Sequence, residues 1–231
     1  MNLEFIGENL KRLRENIENI KAKNNIKREI KLVAVSKTFP IEYIIEAYNN
    51  GQRYFGENRV QEAENKIITL KDKDIEWHLV GTLQKNKVNK AAPLFSLIHS
   101  VDSFELADKI SKKALEIGKK MEVLIQINTS GEKTKSGFCM EYSIIEENVG
   151  KMLELKNIEI KGVMTIGPLT EEENLIRKSF KSLREIRDKL ESKIKIKLPE
   201  ISMGMSSDYR IAIEEGSTIL RIGSLIFGKR E

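Results

Sequence analysis

The chain has 231 residues, with Lys+Arg 40 against Asp+Glu 35 and a formal net charge of +5 spread along its length. At 40% hydrophobic and 32% charged it has the composition of a folded globular chain with a full core, which excludes intrinsic disorder and a dominant polybasic tail. Cys139 is the single cysteine, which excludes an internal disulfide and a multi-cysteine metal centre.

Leu3, Ile6, Leu10, Leu13, Ile17 and Ile20 recur at intervals of three and four, so the chain opens with an amphipathic helix, assigned to residues 1–23. Glu4 and Glu8 stand among the first apolar residues and no basic start precedes an apolar block. No secretory signal is therefore expected, and the protein is assigned to the cytoplasm with its start near Met1. No apolar run approaches the roughly 20 residues that a membrane helix requires.

From residue 31 short β-type runs alternate with helical stretches. Residues 32–35 are apolar, and Pro40 then opens a helix that Gly51 closes. Next come residues 54–55 with a helix to about 70, and 77–80 with a helix to about 90. Residues 97–101 lead into a helix to 117, with Asp102 and Glu105 pointing to its N-cap and Gly118 to its C-cap. A strand over 123–127 is followed by a Gly/Ser/Thr/Lys loop through Gly137 and a helix to about 155. Residues 160–166 precede a charged helix over about 171–191. Strands over 201–205 and 219–222 complete the series, with a short helix over 209–214 between them and a truncated helix at the end.

Strands that alternate with helices pair in parallel, and eight such units favour a single-domain α/β chain, a (β/α)8 barrel over residues 1–231. An open doubly wound sheet is the alternative.

In a barrel, reactive groups sit just beyond the C-terminal ends of strands. Lys37 follows the first apolar run directly, and a desolvated lysine amine is a nucleophile for carbonyls. From this feature alone, in a chain so rich in lysine, a surface lysine is the better reading. His78, beside Trp77, either packs in the core or faces the site, and His99 is read as structural. No partner at ligand spacing accompanies either, so no metal site is expected. Ser206 and Ser207 follow the seventh strand and Gly223 closes the eighth, where barrels often hold phosphate. Each taken singly is an ordinary N-cap or turn residue; the pairing gives them weight. A lysine on strand one and a phosphate cup on strands seven and eight become neighbours when a barrel closes, with Arg221 between them. Pyridoxal 5′-phosphate (PLP) requires those two features and a partner for its ring nitrogen.

Residues 31–38 (KLVAVSKT), 55–58 (FGEN), 77–87 (WHLVGTLQKNK), 135–138 (KSGF), 201–208 (ISMGMSSD) and 216–228 (GSTILRIGSLIFG) together resemble the pyridoxal phosphate homeostasis proteins. These are also known as the proline synthetase co-transcribed or alanine racemase N-terminal-like family. The resemblance implies a (β/α)8 TIM barrel of the alanine racemase N-terminal type, PLP fold type III, with an extra N-terminal helix. It implies Lys37 as the Schiff-base lysine and Arg221 at the pyridine nitrogen. Ser206, Gly223 and Ser224 would bind phosphate, helped by Ser207 and Thr218. Asn58 and His78 would line the ring pocket, Met203 would pack on the cofactor, and Lys135 would face the mouth. Val80 stands where isoleucine is more usual in this family.

An arginine at the ring nitrogen keeps its own proton, so it leaves the ring a weak electron sink. Racemases of the resembling fold add a second domain that supplies a tyrosine base, and a chain ending at Glu231 has no room for one. The expectation is a cytoplasmic PLP-binding homeostasis protein without robust amino-acid catalysis. It would be a monomer, with PLP-dependent apo-enzymes as recipients and no nucleic-acid or membrane partner. A small fold-type III racemase or lyase, using Lys37 and an unidentified second group, is the alternative. A nucleic-acid or polyphosphate binder ranks last, because the basic charge is diffuse. Lys85, Asn86 and Lys87 are either solvated surface or a second anion site, and the sequence leaves that choice open.

Overall fold

The computed structural model describes residues 3–132 and 134–228. Met1, Asn2, Lys133 and the last three residues, Glu231 among them, lie outside these. The strands are β1 (Lys31–Val35), β2 (Tyr54–Glu57), β3 (Glu76–Leu79), β4 (Leu97–Val101), β5 (Met121–Gln126), β6 (Ile158–Met164), β7 (Glu200–Ser202) and β8 (Ile219–Ile222). They pair in parallel in sequence order, and β1 pairs with β8 in the register Val33 to Arg221, closing the barrel. The open-sheet alternative is thereby set aside.

Helix α1 (Glu4–Lys23) precedes the barrel. The outer helices follow as α2 (Ile41–Asn49), α3 (Val60–Thr69), α4 (Val88–Leu94), α5 (Phe104–Glu116), α6 (Tyr142–Leu153), α7 (Glu173–Ile194), α8 (Tyr209–Glu214) and α9 (Ser224–Phe227). The three-four pattern of α1 buries Ile6, Leu10, Leu13 and Ile17 against α2, α8 and α9. No helix is long and apolar enough to cross a membrane among the described residues.

Alternation along the strands divides the apolar residues between two layers. Leu32, Ala34, Phe55 and Leu79 face the helices in the large cluster, while Val33, Val35, Val80, Leu97, Leu124, Met164 and Ile219 form a separate cluster inside the barrel. The lumen is thus filled with side chains at its lower levels, and only its upper mouth can accept a ligand.

Several boundaries differ from expectation for local reasons. β7 ends at Ser202, short of 205, because Gly204 adopts φ +95 and turns the chain into α8. β6 begins and ends two residues earlier than expected, as does β5 at its start, because Met121 and Ile158 already pair across the sheet. The N-cap of α5 is Ser103, whose Oγ accepts the Leu106 N–H, in place of Asp102. Past β3 a 3₁₀ turn (Lys85–Lys87) precedes α4, which runs beyond Lys90 to Leu94 with Pro93 in its last turn.

Candidate functional site

The upper mouth holds a cavity of about 680 Å³ lined by Val35, Lys37, Phe39, Asn58, Val80, Ile166, Met205, Ser206, Ser207, Arg221, Gly223, Ser224 and Gly228. That volume falls within the usual range for small-molecule sites. Closure of β8 on β1 brings Lys37, two residues past the end of β1, beside the Gly223 turn. Seven of the ten residues proposed from sequence share this lining: Lys37, Asn58, Ser206, Ser207, Arg221, Gly223 and Ser224.

The other three lie elsewhere. Thr218 sits at the opposite, N-terminal end of β8, where its Oγ1 donates to Glu200 Oε2 at 2.6 Å and its carbonyl accepts the Lys31 N–H. A contact from there to a phosphate at the mouth is geometrically closed. Met203 is fully buried in the layer between sheet and helices, and Met205, two residues on, is the methionine at the cavity. His78 is buried in the lumen and is absent from the lining. Lys135 donates to Glu132 Oε1 at 2.5 Å and to the Gly167 carbonyl at 2.7 Å, which ties two loops together outside the lining. Lys85 and Asn86 are exposed, while Lys87 borders a second cavity of about 750 Å³ that shares Asn58 with the first.

Both residues flanking Lys37 are clamped by a buried charge network. Lys66 Nζ, reaching in from α3, donates to the Ser36 carbonyl at 2.9 Å, to Glu57 Oε1 at 2.9 Å and to Glu62 Oε1 at 2.8 Å. Ser36 Oγ donates to the same Glu57 oxygen at 2.7 Å, and the Thr38 N–H donates to Glu62 Oε1. Thr38 has φ +68, a conformation that β-branched residues rarely adopt. Strain of this kind persists where surrounding contacts over-determine it, often at a functional site. Burial raises the Glu57 carboxyl above its ordinary range despite the opposing Lys66 charge. For Glu62, partial burial is outweighed by the hydrogen bonds from Lys66 and Thr38, and its carboxyl is held below the ordinary range. None of these clamp residues was singled out from sequence. The available signal was a carboxylate at Glu57, at the end of the second strand run and just before Asn58.

Arg221 is buried in the cavity floor, donating from Nη1 to Ser202 Oγ at 2.6 Å and from Nη2 to the Thr165 carbonyl at 2.8 Å. Among the described residues no carboxylate lies within ion-pair distance of it. Burial lowers its guanidinium to about 10, against the attraction of Asp208, so it is charged at neutral pH. Behind Ser202, His99 Nδ1 lies 2.9 Å from the hydroxyl, and His99 Nε2 lies 3.0 Å from His78 Nδ1. His99, read as structural from sequence, thus belongs to a polar chain that ends at the cavity.

Burial depresses both histidines, His78 to about 3 with the Lys31 charge assisting, and His99 well below its ordinary value. An unfolded chain takes up protons near pH 6.5 that the native lumen refuses. Stability from these two groups is therefore complete above about pH 6.5 and lost as pH falls below it, toward 3 for His78, by up to about 1.4 kcal/mol per unit for each histidine. Urea denaturation should show a falling midpoint between pH 6.5 and 5. A flat midpoint over that range contradicts neutral buried histidines.

The family described as alanine racemase, N-terminal domain, matches residues 9–231. A pyridoxal phosphate homeostasis protein of Aquifex aeolicus is 47% identical over 201 residues, covering 87% of each chain. The chain belongs to the pyridoxal phosphate homeostasis protein family. A human pyridoxal phosphate homeostasis protein is 43% identical over 216 residues, covering 87% of this chain and 77% of its own. Among solved structures, PipY of Synechococcus elongatus with PLP bound superposes with a TM-score of 0.85 at 36% identity, over 96% of this chain and 100% of that one. The homeostasis family and the alanine racemase-type barrel expected from the motifs are both found.

Proposed function

We propose that this chain binds PLP in the mouth cavity, holds it reversibly as a Schiff base on Lys37 Nζ, and serves PLP homeostasis as a carrier without robust amino-acid catalysis. The observation that carries this reading is the meeting of Lys37, Arg221 and the Ser206, Ser207, Gly223 and Ser224 loops around one cavity. The donor chemistry fits the cofactor. Among the described residues the backbone N–H groups of Ser206, Ser207 and Ser224 have no protein acceptor, and with three hydroxyls they supply donors to a phosphate. Arg221 uses two of its five N–H donors on Ser202 and Thr165, which leaves donors for a ring nitrogen.

Bound PLP supplies an aldehyde that condenses reversibly with an amine, losing water, and a ring that withdraws electrons. Arg221 gives that ring a hydrogen bond and keeps its proton, so the withdrawal is weak. Among the described residues of the lining, no histidine, carboxylate, tyrosine or cysteine accompanies Lys37. Racemisation requires a second acid–base group on the opposite face of the substrate, so the reading as a racemase is the weaker one. Lys37 is half-buried at the rim, which favours exchange of the cofactor with a recipient apo-enzyme. The protein is read as a cytoplasmic monomer.

Borohydride reduction after incubation with PLP, followed by peptide mass mapping, tests the assignment. One label per chain confined to Lys37 is expected; scattered or absent labelling rejects it. Dialysis of loaded protein against an apo-enzyme reads the carrier role, which fails if no acceptor gains activity.

A further inference from the structure

Arg221 only donates, so Ser202 Oγ accepts from it. Ser202 is fully buried, and its own proton has one acceptor in reach among the described residues, His99 Nδ1. His99 then carries its proton on Nε2 and donates it to His78 Nδ1, so His78 also carries its proton on Nε2. The reverse direction would place a proton on His99 Nδ1 and strand the proton of the fully buried Ser202 hydroxyl, at a cost of about 1–3 kcal/mol, whereas His78 Nε2, which carries the last proton of the forward chain, is not among the fully buried unpartnered atoms of the described residues. On the other flank, Thr165 Oγ1 donates to the Ile127 carbonyl, which makes Thr129 its donor and Ser179 the donor to Thr129. That chain fixes the strand end whose carbonyl receives Arg221 Nη2.

We infer that His99 and His78 are positioning residues for Arg221, a directed chain of neutral imidazoles that locks the Ser202 lone pair onto the guanidinium and so aims it at the ring nitrogen of PLP. The inference rests on the PLP reading for its target, while the proton placements stand on the protein alone. A carboxylate behind Arg221 would hold it as firmly but would neutralise its charge; a neutral chain holds it and leaves the charge directed into the cavity. The barrel has placed two of its lumen positions, on β3 and β4, in the service of a residue on β8.

The chain contains two histidines, so side-chain ¹⁵N NMR of the intact protein reads each one separately. Without PLP, both rings are expected to be neutral Nε2–H tautomers from pH 8 down to 5. An Nδ1–H tautomer at His99, or an imidazolium at pH 6, overturns the inference whatever PLP does. With PLP, His99→Leu is expected to weaken binding about tenfold and to move the absorbance band of the bound cofactor. His99→Gln, whose amide accepts from Ser202 and donates to His78, should recover affinity to within about threefold, with the original band. Unchanged affinity and band in a folded His99→Leu protein overturn the inference. Should that variant not fold, Ser202→Ala cuts the same link with both histidines in place, and the same two outcomes decide. If wild-type protein binds no PLP, the proposed function fails while the NMR result still decides the chain.

Discussion

Replacing Lys37 by alanine is expected to abolish reduction-stable labelling by PLP and to weaken its binding by roughly 30-fold or more, about 2 kcal/mol. The proposed covalent bond is lost outright, while the proposed phosphate donors at Ser206, Ser207 and Ser224 and the proposed Arg221 contact are untouched. Residual, reversible binding should therefore persist, without the absorbance of an imine. Arginine at the same position keeps the charge but offers no amine that condenses, so Lys37→Arg should behave like the alanine variant. Measuring absorbance and equilibrium dialysis on the same samples separates the two losses. Labelling that survives at full stoichiometry in Lys37→Ala would move the covalent role to another lysine.

The second large effect is on stability. Lys66→Met leaves Glu57 fully buried with its countercharge removed, and breaking a buried pair in this way costs about 3–5 kcal/mol. For a chain of this size that corresponds to roughly 10 °C in Tm. Glu57 Oε2 has no hydrogen-bond partner among the described residues, so only the Ser36 hydroxyl on Oε1 remains to stabilise the stranded charge. The double variant Glu57→Gln with Lys66→Met removes both charges and should recover a large part of the loss. Lys66→Met should also slow borohydride-trapped labelling of Lys37, because the Ser36 carbonyl loses its donor and Glu62, which accepts the Thr38 N–H, loses the lysine that holds it. A Tm within 2 °C, the ~0.5 kcal/mol range of ordinary surface changes, would show the network to be dispensable.

The barrel was legible because its signal is repetitive: eight apolar runs with helical stretches between them survive errors of two residues at any boundary. The mouth of the site was legible for a related reason, since strand ends follow from strand positions and the C-terminal ends carry the chemistry. What did not follow was anything set by side-chain direction or by packing across the fold. Thr218 opens β8 at the end remote from the cavity, a distinction that a motif window spanning the whole strand does not make. Met203 and Met205 share the same short motif, and the turn at Gly204 decides which of them reaches the cavity. Lys66 reads as one more cation on a charged helix, and its partners Ser36 and Glu57 are distant in sequence. His78 and His99 are each bland alone; their contact exists only because β3 and β4 are neighbours.

Closure of β8 on β1 has a kinetic consequence. The two halves of the cavity lie near opposite ends of the chain, and contacts of such large sequence separation form late in folding because loop closure precedes their reward. The seam is thus the place where a partly synthesised or partly unfolded barrel stands open, with no competent mouth. A ligand that touches Lys37 on one side and Ser224 on the other bridges that seam, so the saturated protein should resist opening there more than elsewhere. Amide exchange in β1 and β8 would then slow with cofactor concentration, while exchange in β4 and β5, across the barrel, would change little. The ligand proposed for the mouth would also act as the barrel's last staple.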